Sequence, residues 1–499
     1  MNDKNKNSFL KRTLSNTFFY GASGILGNAI GFIMLPIYTN YLTPADYGIA
    51  SFLVLYVSLV QALLGGRLDA AISRYHFDTS NNYNINTIIS TSVLLTACFC
   101  LIPILVSIIF SREISTGLFG EDDYALCVKI ISVNILVGTL EQYSMQYLRI
   151  MDRAKMFFAL NVCALVGQLS LNIVLIVVFK LGILGMVVSS VFAPTFKWAV
   201  STIILYSKEG APEFDRSFVP TVLRFCYPLW LSGLIGLYIG SSHQLFIRKF
   251  STLSDLGLYS LAATFGAMVG TFVFGPFWSH WQVERFRIKK QDNAQALYAR
   301  IYLVLLILGI LVSVGITVVS FPVIEIMASE EFFFAVFGVM PLALTVVLTY
   351  LNWYVGFSFL ISDNNKELAK NSFIFAGLVS LALFVFVPKY GFVGAGYAVF
   401  LSNLINLNII SMRAKKFYDM GINLIATNSL VLVAVCIGIG VQYSYFSIGS
   451  FYLYLTYCAA ALIFFTLATV ILIKIRYKNM YHIIMKEIEP FLPTRKRQH

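Results

Sequence analysis

Long apolar runs and short polar breaks alternate along the whole chain. Most runs hold about 20 residues, enough to cross a hydrocarbon core of about 30 Å as an α-helix. Hydropathy and turn signals place spans near 15–40, 47–70, 86–110, 124–147, 157–180, 183–206, 218–247, 256–283, 299–322, 332–360, 371–388, 392–412, 424–444 and 451–474. The pattern predicts an all-α polytopic membrane protein with about 14 transmembrane helices.

The breaks are asymmetric in charge. With the N-terminus set in the cytoplasm, the inner breaks hold basic clusters. These include Lys4, Lys6, Lys11 and Arg12; Arg149, Arg153 and Lys155; Arg285, Arg287, Lys289 and Lys290; and Arg413, Lys415 and Lys416. The outer breaks hold Arg112, Lys180, Arg248, Lys249 and Lys389, beside the acids Glu121, Asp122, Asp123, Glu330 and Glu331. Positive charge collects on the cytoplasmic side of membrane proteins. Both termini are therefore expected in the cytoplasm. The net charge of +12 follows from this bias and calls for no nucleic acid.

Composition adds little to that picture. The chain is 58% hydrophobic and 12% charged, against about 25% charged in soluble domains. Its seven cysteines lie scattered in apolar runs, without the spacing of a metal site or a disulfide framework. No Walker A sequence, paired carboxylates or Ser-His-Asp set stands out, so no cofactor, no metal and no catalytic residue is expected.

One polar turn is written twice. "YLTPADYG" runs from Tyr41 to Gly48 and "FSTLSDLG" from Phe250 to Gly257. Asp46 and Asp255 stand 209 positions apart (255 − 46), and at that offset Thr43 aligns with Thr252, Gly48 with Gly257 and Ser51 with Ser260. "KLGILG" from Lys180 and "KYGFVG" from Lys389 keep the same offset. Two matches at one offset point to a duplicated six-span unit, with its copies related by an axis along the membrane normal. Locally the turn is a helix start: Thr43 and Thr252 cap, Pro44 suits the first position, and Asp46 and Asp255 complete a capping box. The expected division is 1–216 (spans 1–6), 217–416 (spans 7–12) and 417–499. The last part adds two spans and a basic tail, where 477–492 has the spacing of an interfacial amphipathic helix.

"GFIMLPIYTNYLTPADYGIASFLVLYVSL", Gly31 to Leu59, resembles the opening of bacterial polysaccharide-export flippases (Wzx-type) of the multidrug/oligosaccharidyl-lipid/polysaccharide (MOP) exporter superfamily. The marks are a Leu-Pro-hydrophobic-Tyr-Thr run and the Thr-Pro-x-Asp-Tyr-Gly turn. The resemblance implies two six-helix lobes plus two helices, as in MATE transporters. It implies alternating access that moves an undecaprenyl-diphosphate-linked oligosaccharide from the inner to the outer leaflet, not an enzyme activity. Handover to a downstream polysaccharide polymerase is the partner expectation, beside the lipid bilayer itself.

That cargo sets the candidate residues. Charges within spans are costly and usually face a cavity or a partner. Arg67, Lys197 and Arg224 are the cationic candidates for the diphosphate, since arginine in particular makes bidentate phosphate contacts. Arg67 has Asp69 and Glu141 as alternative partners, and the two acids are also the coupling or charge-pairing candidates. For the sugars the candidates are Asn16, Tyr20 and Asn28, which share a helical face, together with Tyr227, Trp230 and Trp353. Trp278 and Trp281 read as interfacial anchors. Gly21, Gly24, Gly27 and Gly31 form a small-residue face suited to close helix packing, and Pro36, Pro228 and Pro276 are expected to bend their spans. The alternative is a cation-coupled multidrug exporter of the same superfamily, whose acidic site is missing from spans 1 and 7. A peptidoglycan-precursor flippase lacks its cations in span 1 here, and a membrane polymerase lacks its large outer loop.

Overall fold

The computed structural model describes residues 33–64, 68–77, 83–362 and 364–447, with a few isolated positions outside them. Its described residues form helices joined by short turns, without a strand. In chain order these are α1 (Leu35–Tyr41), α2 (Pro44–Leu64), α3 (Leu68–Phe77), α4 (Ile85–Ile109), α5 (Ser111–Phe119), α6 (Ala125–Ile150), α7 (Ala154–Asn172) and α8 (Gly182–Glu209). They continue with α9 (Phe218–Phe250), α10 (Leu253–Val269), α11 (Gly275–Ile288), α12 (Ala294–Met327), α13 (Val336–Ile361), α14 (Asn365–Ala414) and α15 (Leu424–Ser447). Ten helical stretches among the described residues are long and apolar enough to cross a membrane.

The difference from 14 has identifiable sources. The spans near 371–388 and 392–412 run together in α14, interrupted at Gly391, whose φ of 55° breaks the helix. Part of the span near 15–40, nearly all of that near 451–474, and the amphipathic tail lie outside the described residues, and the span near 218–247 counts only through the shorter apolar stretch Phe218–Tyr227. Pro36 stands just after a turn at Met34, in the first turn of α1, and Pro276 closely follows the π-helical stretch Gly270–Phe274 that interrupts the α-helix.

The chain forms two compact units. The first comprises Met1–Thr264, Val323–Gly338 and Ala369–Ser402. Within it the turn before α2 is a complete capping box. The Thr43 amide and hydroxyl both donate to Asp46 Oδ2, at 3.0 and 2.7 Å, and the Asp46 amide returns a bond to Thr43 Oγ1 at 3.1 Å. The turn before α10 repeats half of it: the Asp255 amide donates to Thr252 Oγ1 at 3.1 Å, while Asp255 Oδ2 accepts from Ser251.

These two helix starts meet. A Cβ on Gly48 would overlap the Leu253 carbonyl oxygen, and one on Gly257 the Pro44 carbonyl oxygen. One turn further along, Ser260 Oγ donates to Ser51 Oγ at 2.9 Å. Glycine at both positions thus lets backbone lie on backbone. By contrast, Cβ atoms at Gly21, Gly24 and Gly27 would meet nothing within 4 Å among the described residues. In the "KLGILG" and "KYGFVG" turns Gly182 and Gly391 have φ of 54° and 55°, in the left-handed region open to glycine, while only the first turn also has a positive φ at its lysine, Lys180.

Elsewhere in this unit α6 and α8 lie side by side along a polar seam. Asn134 Nδ2 donates to the Ser190 carbonyl at 3.4 Å, Lys197 reaches Glu141 at 2.7 Å, and Ser201 Oγ donates to Ser144 Oγ at 2.7 Å. Lipid supplies no hydrophobic drive for helix pairing, so small and hydrogen-bonding residues hold such seams. At one end of the bundle Leu68, Ile72, Ile89, Leu148 and Phe218 form a buried apolar cluster.

The second unit comprises Phe265–Pro322, Val339–Leu368 and Asn403–His499. Its buried centre is an amide network. Asn406 Nδ2 donates to Asn352 Oδ1 at 2.8 Å, Asn352 Nδ2 donates to the Asn403 carbonyl at 3.2 Å, and Thr349 donates to Asn403 Oδ1 at 3.1 Å. An Arg413–Glu367 ion pair of 2.6 Å joins the ends of two segments. Residues Gly270–Phe274 are π-helical and lead directly into α11.

Candidate functional site

In the first unit the intramembrane charges are arranged on α3, α6, α8 and α9. Glu141 lies about midway along α6, and Lys197 about midway along α8. Their side chains are 17% and 19% exposed, and the Lys197 Nζ to Glu141 Oε1 distance is 2.7 Å. Removing either charge leaves the other without this partner, so the two residues act as one electrostatic unit. Ser201, four residues after Lys197, donates to the Lys197 carbonyl at 2.5 Å as well as to Ser144. The serines extend the polar strip by one turn on each helix.

Asp69 is half-buried on α3. Arg67, its sequence neighbour, lies outside the described residues, as do Asn16, Tyr20 and Asn28.

Arg224, Tyr227 and Trp230 follow one another at three-residue spacing on α9 and so share a face. Arg224 is exposed, Tyr227 is 64% exposed, and Trp230 is half-buried. The Tyr227 and Trp230 ring centres are 6.1 Å apart. The Trp230 indole N–H donates to the carbonyls of Ala62 and Leu63 at 2.8 and 3.1 Å. Its N–H is thereby occupied, and the ring face is what remains for a ligand. On the other side of α9 the Arg74 guanidinium lies 4.4 Å from the Phe225 ring centre, a cation–π contact.

The four turn residues have local partners. Thr43, Asp46, Thr252 and Asp255 hold helix starts, and Asp255 also lies where a Cβ on Gly391 would fall. Sequence reading identified this capping. It did not identify the glycine crossing that the caps bring about, although Gly48 and Gly257 aligned at the same offset.

Trp353 belongs to the second unit. It is 54% exposed and forms an aromatic edge with Tyr350 and Trp278, at ring-centre distances of 5.0 and 5.9 Å. Trp281, in contrast, is buried and stacked on Tyr354 at 4.7 Å. The seam residues Ser144, Ser190 and Ser201 and the Asn403–Asn406 pair were missed by sequence reading. Their signal was present as helical spacing: Ser144 stands three positions from Glu141, Ser201 four and Ser190 seven from Lys197, and Asn403 three from Asn406. Among the described residues no cluster of metal-ligating side chains occurs.

The polysaccharide biosynthesis protein family matches residues 13–279. The chain belongs to this family. No curated protein matches the chain by sequence. Among solved structures, it is similar to the lipid II flippase MurJ in an inward closed conformation, with a TM-score of 0.70 and 14% identity over 93% of this chain and 99% of that one. It is similar to a multidrug resistance MATE family transporter of the MOP superfamily in an inward-facing conformation, with a TM-score of 0.62 and 12% identity over 78% and 95% of the two chains. A MOP superfamily transporter from Pyrococcus furiosus gives a TM-score of 0.54 and 13% identity over 81% and 95%. The chain of this polysaccharide biosynthesis family member therefore has the multi-pass helical fold of MurJ and MATE proteins.

Proposed function

We propose that this family member carries an undecaprenyl-diphosphate-linked oligosaccharide from the inner to the outer leaflet of the bacterial plasma membrane, as a transporter and not an enzyme. The carrying observation is a polysaccharide biosynthesis family match on a fold similar to that of a lipid II flippase. The polar and charged strip on α6 and α8, set within a membrane span, supports the reading. Such residues are costly in hydrocarbon and mark substrate paths.

In this reading the six-span repeats, 1–216 and 217–416, rock against each other with both termini cytoplasmic. The helix starts at Thr43 and Thr252 then face outward, and the Gly48–Gly257 crossing is an outer seam. Arg67, Lys197 and Arg224 neutralise the diphosphate. Lys197 exchanges Glu141 for phosphate oxygens as cargo arrives, leaving Glu141 as the charge that returns it. Tyr227, Trp230 and Trp353 face the sugars, and Asn16, Tyr20 and Asn28 line the first span. The polymer is completed by a separate polymerase.

The test is deletion of the gene followed by separation of lipid-linked oligosaccharides by leaflet. Completed repeat units should accumulate on the cytoplasmic side while surface polymer is lost. Unchanged polymer with new sensitivity to cationic dyes would establish the multidrug exporter instead. The MATE-like fold favours that second reading; the Glu141–Lys197 pair weighs against it, because an acid already matched to lysine is a poor site for a cationic drug.

A further inference from the structure

The 209-residue offset has a chemical consequence within the spans. Applied to the charged positions of the first unit, it carries Asp69 to Trp278, Glu141 to Tyr350 and Lys197 to Asn406. All three counterparts lie in the second unit, and none is charged. At the same offset Gly182 and Gly391 share nearly one φ value.

The counterparts assemble. Trp278 and Tyr350 are 5.6 Å apart at 70°, Tyr350 and Trp353 are 5.0 Å apart at 72°, and Trp278 and Trp353 are 5.9 Å apart. Phe274 lies parallel to Tyr350 at 4.4 Å and backs it. Behind them Trp281, Tyr354 and Phe357 are buried, so the exposed edge stands on a rigid aromatic base. The π-helical turn at Gly270–Phe274 directs α11 toward this edge. A Cβ at Gly270 would lie 3.4 Å from the Tyr350 ring, in ordinary contact with it. Such bulges are frequent at functional sites.

Exposed aromatic rings on a membrane protein ordinarily contact lipid or anchor the interface. The repeat argues otherwise here. Asp69, Glu141 and Trp278, Tyr350 occupy aligned positions, and all four are half-buried. Ionisable side chains within spans avoid lipid, so the surface they occupy is an interior one in the first repeat. The aligned surface of the second repeat is then interior too.

We infer that Trp278, Tyr350 and Trp353 form a sugar-binding face for the neutral pyranose rings of the cargo. This inference rests on the proposed reading of the chain as a lipid-linked oligosaccharide carrier. The negative faces of aromatic rings attract the slightly positive C–H groups of a pyranose, without any need for charge.

The test uses the full chain in two arms. In the first, variants retaining only Trp278 or only Trp353, with the remaining tryptophans changed to phenylalanine, are reconstituted in phosphatidylcholine vesicles. Aqueous acrylamide should quench each of them, and dibrominated phosphatidylcholine should not. The opposite pattern makes the rings lipid-facing and overturns the inference. In the second arm, Trp278→Ala and Trp353→Ala should each lower surface polymer at least ten-fold in complemented cells at equal protein abundance, with Trp353→Phe restoring most of it. Wild-type polymer from both alanine variants would overturn the inference as well. If deletion of the gene leaves polymer and leaflet distribution unchanged, the carrier reading itself fails. The quenching arm still reports separately whether the face is water-lined.

Discussion

Adding one carbon at the glycine crossing is the perturbation whose effect is best defined by the structure. A Cβ on Gly257 would overlap the Pro44 carbonyl oxygen, and one on Gly48 the Leu253 carbonyl oxygen. Both obstacles are backbone, so no rotamer relieves them. Even a close carbon–oxygen contact needs about 3.3 Å, and α2 and α10 must separate by more than about 1 Å to reach it. A gap of that size forfeits roughly a quarter to a half of the dispersion energy at each facing pair. It also breaks the 2.9 Å bond between Ser51 and Ser260, worth about 1 kcal/mol. With an overpacking cost of about 2 kcal/mol, Gly257→Ala should disfavour the crossed arrangement by about 3 kcal/mol. That is roughly a hundred-fold in population. The assay is labelling of a cysteine placed at Ser260 by a membrane-impermeant maleimide added outside whole cells, in a background without native cysteines. Labelling should be slow with Gly257 in place and at least ten-fold faster in the Gly257→Ala variant. Equal rates, with normal polymer output, would refute the view that this crossing seals one face of the protein.

Other consequences follow from single contacts. Cysteines at Ser51 and Ser260 should form a disulfide on mild oxidation, and polymer export should stop until reductant is added; full activity of the cross-linked protein would make the crossing a fixed pivot. Lys197→Ala or Glu141→Ala alone should destabilise the purified protein by about 3 kcal/mol in thermal unfolding, because one half-buried charge is left unpaired. The double variant Lys197→Met with Glu141→Leu should lose much less stability, and an equal loss would show that the pair is not coupled. Thr43→Ala removes both partners of its hydroxyl and should cost about 1 kcal/mol; Thr252→Ala, which loses one, should cost less in the same measurement. Trp230→Phe, which cannot donate to Ala62 and Leu63, should lower stability by about 1 kcal/mol while Tyr227→Phe leaves it unchanged.

Much of the architecture was legible in the chain because it depends on local chemistry. The α2 start is one example: Thr43, Pro44 and Asp46 form a cap from three neighbouring residues, and no distant contact is needed to recognise it. Its copy at Thr252 was legible for the same reason. The site was less so. Lys197 and Glu141 were both singled out, yet for different tasks, and nothing in their spacing linked positions on separate helices. Trp230 read as a sugar contact, and only the tertiary structure shows that its N–H donates to the carbonyls of Ala62 and Leu63. Trp278 read as an anchor, and only its packing against Tyr350 and Trp353 placed it in an aromatic edge.

By itself the sequence determined the helical spans, the repeated helix starts and the 209-residue register between them. Hydropathy over a bilayer's thickness, capping and turn chemistry all act within a few helical turns, so they are written where they operate. The tertiary structure decided which residues meet. Whether Lys197 finds Glu141, whether Gly48 and Gly257 let two backbones touch, and whether three rings form one face depend on helix rotation and crossing. Those are set by the packing of all neighbouring side chains together, and no single stretch of the chain contains them.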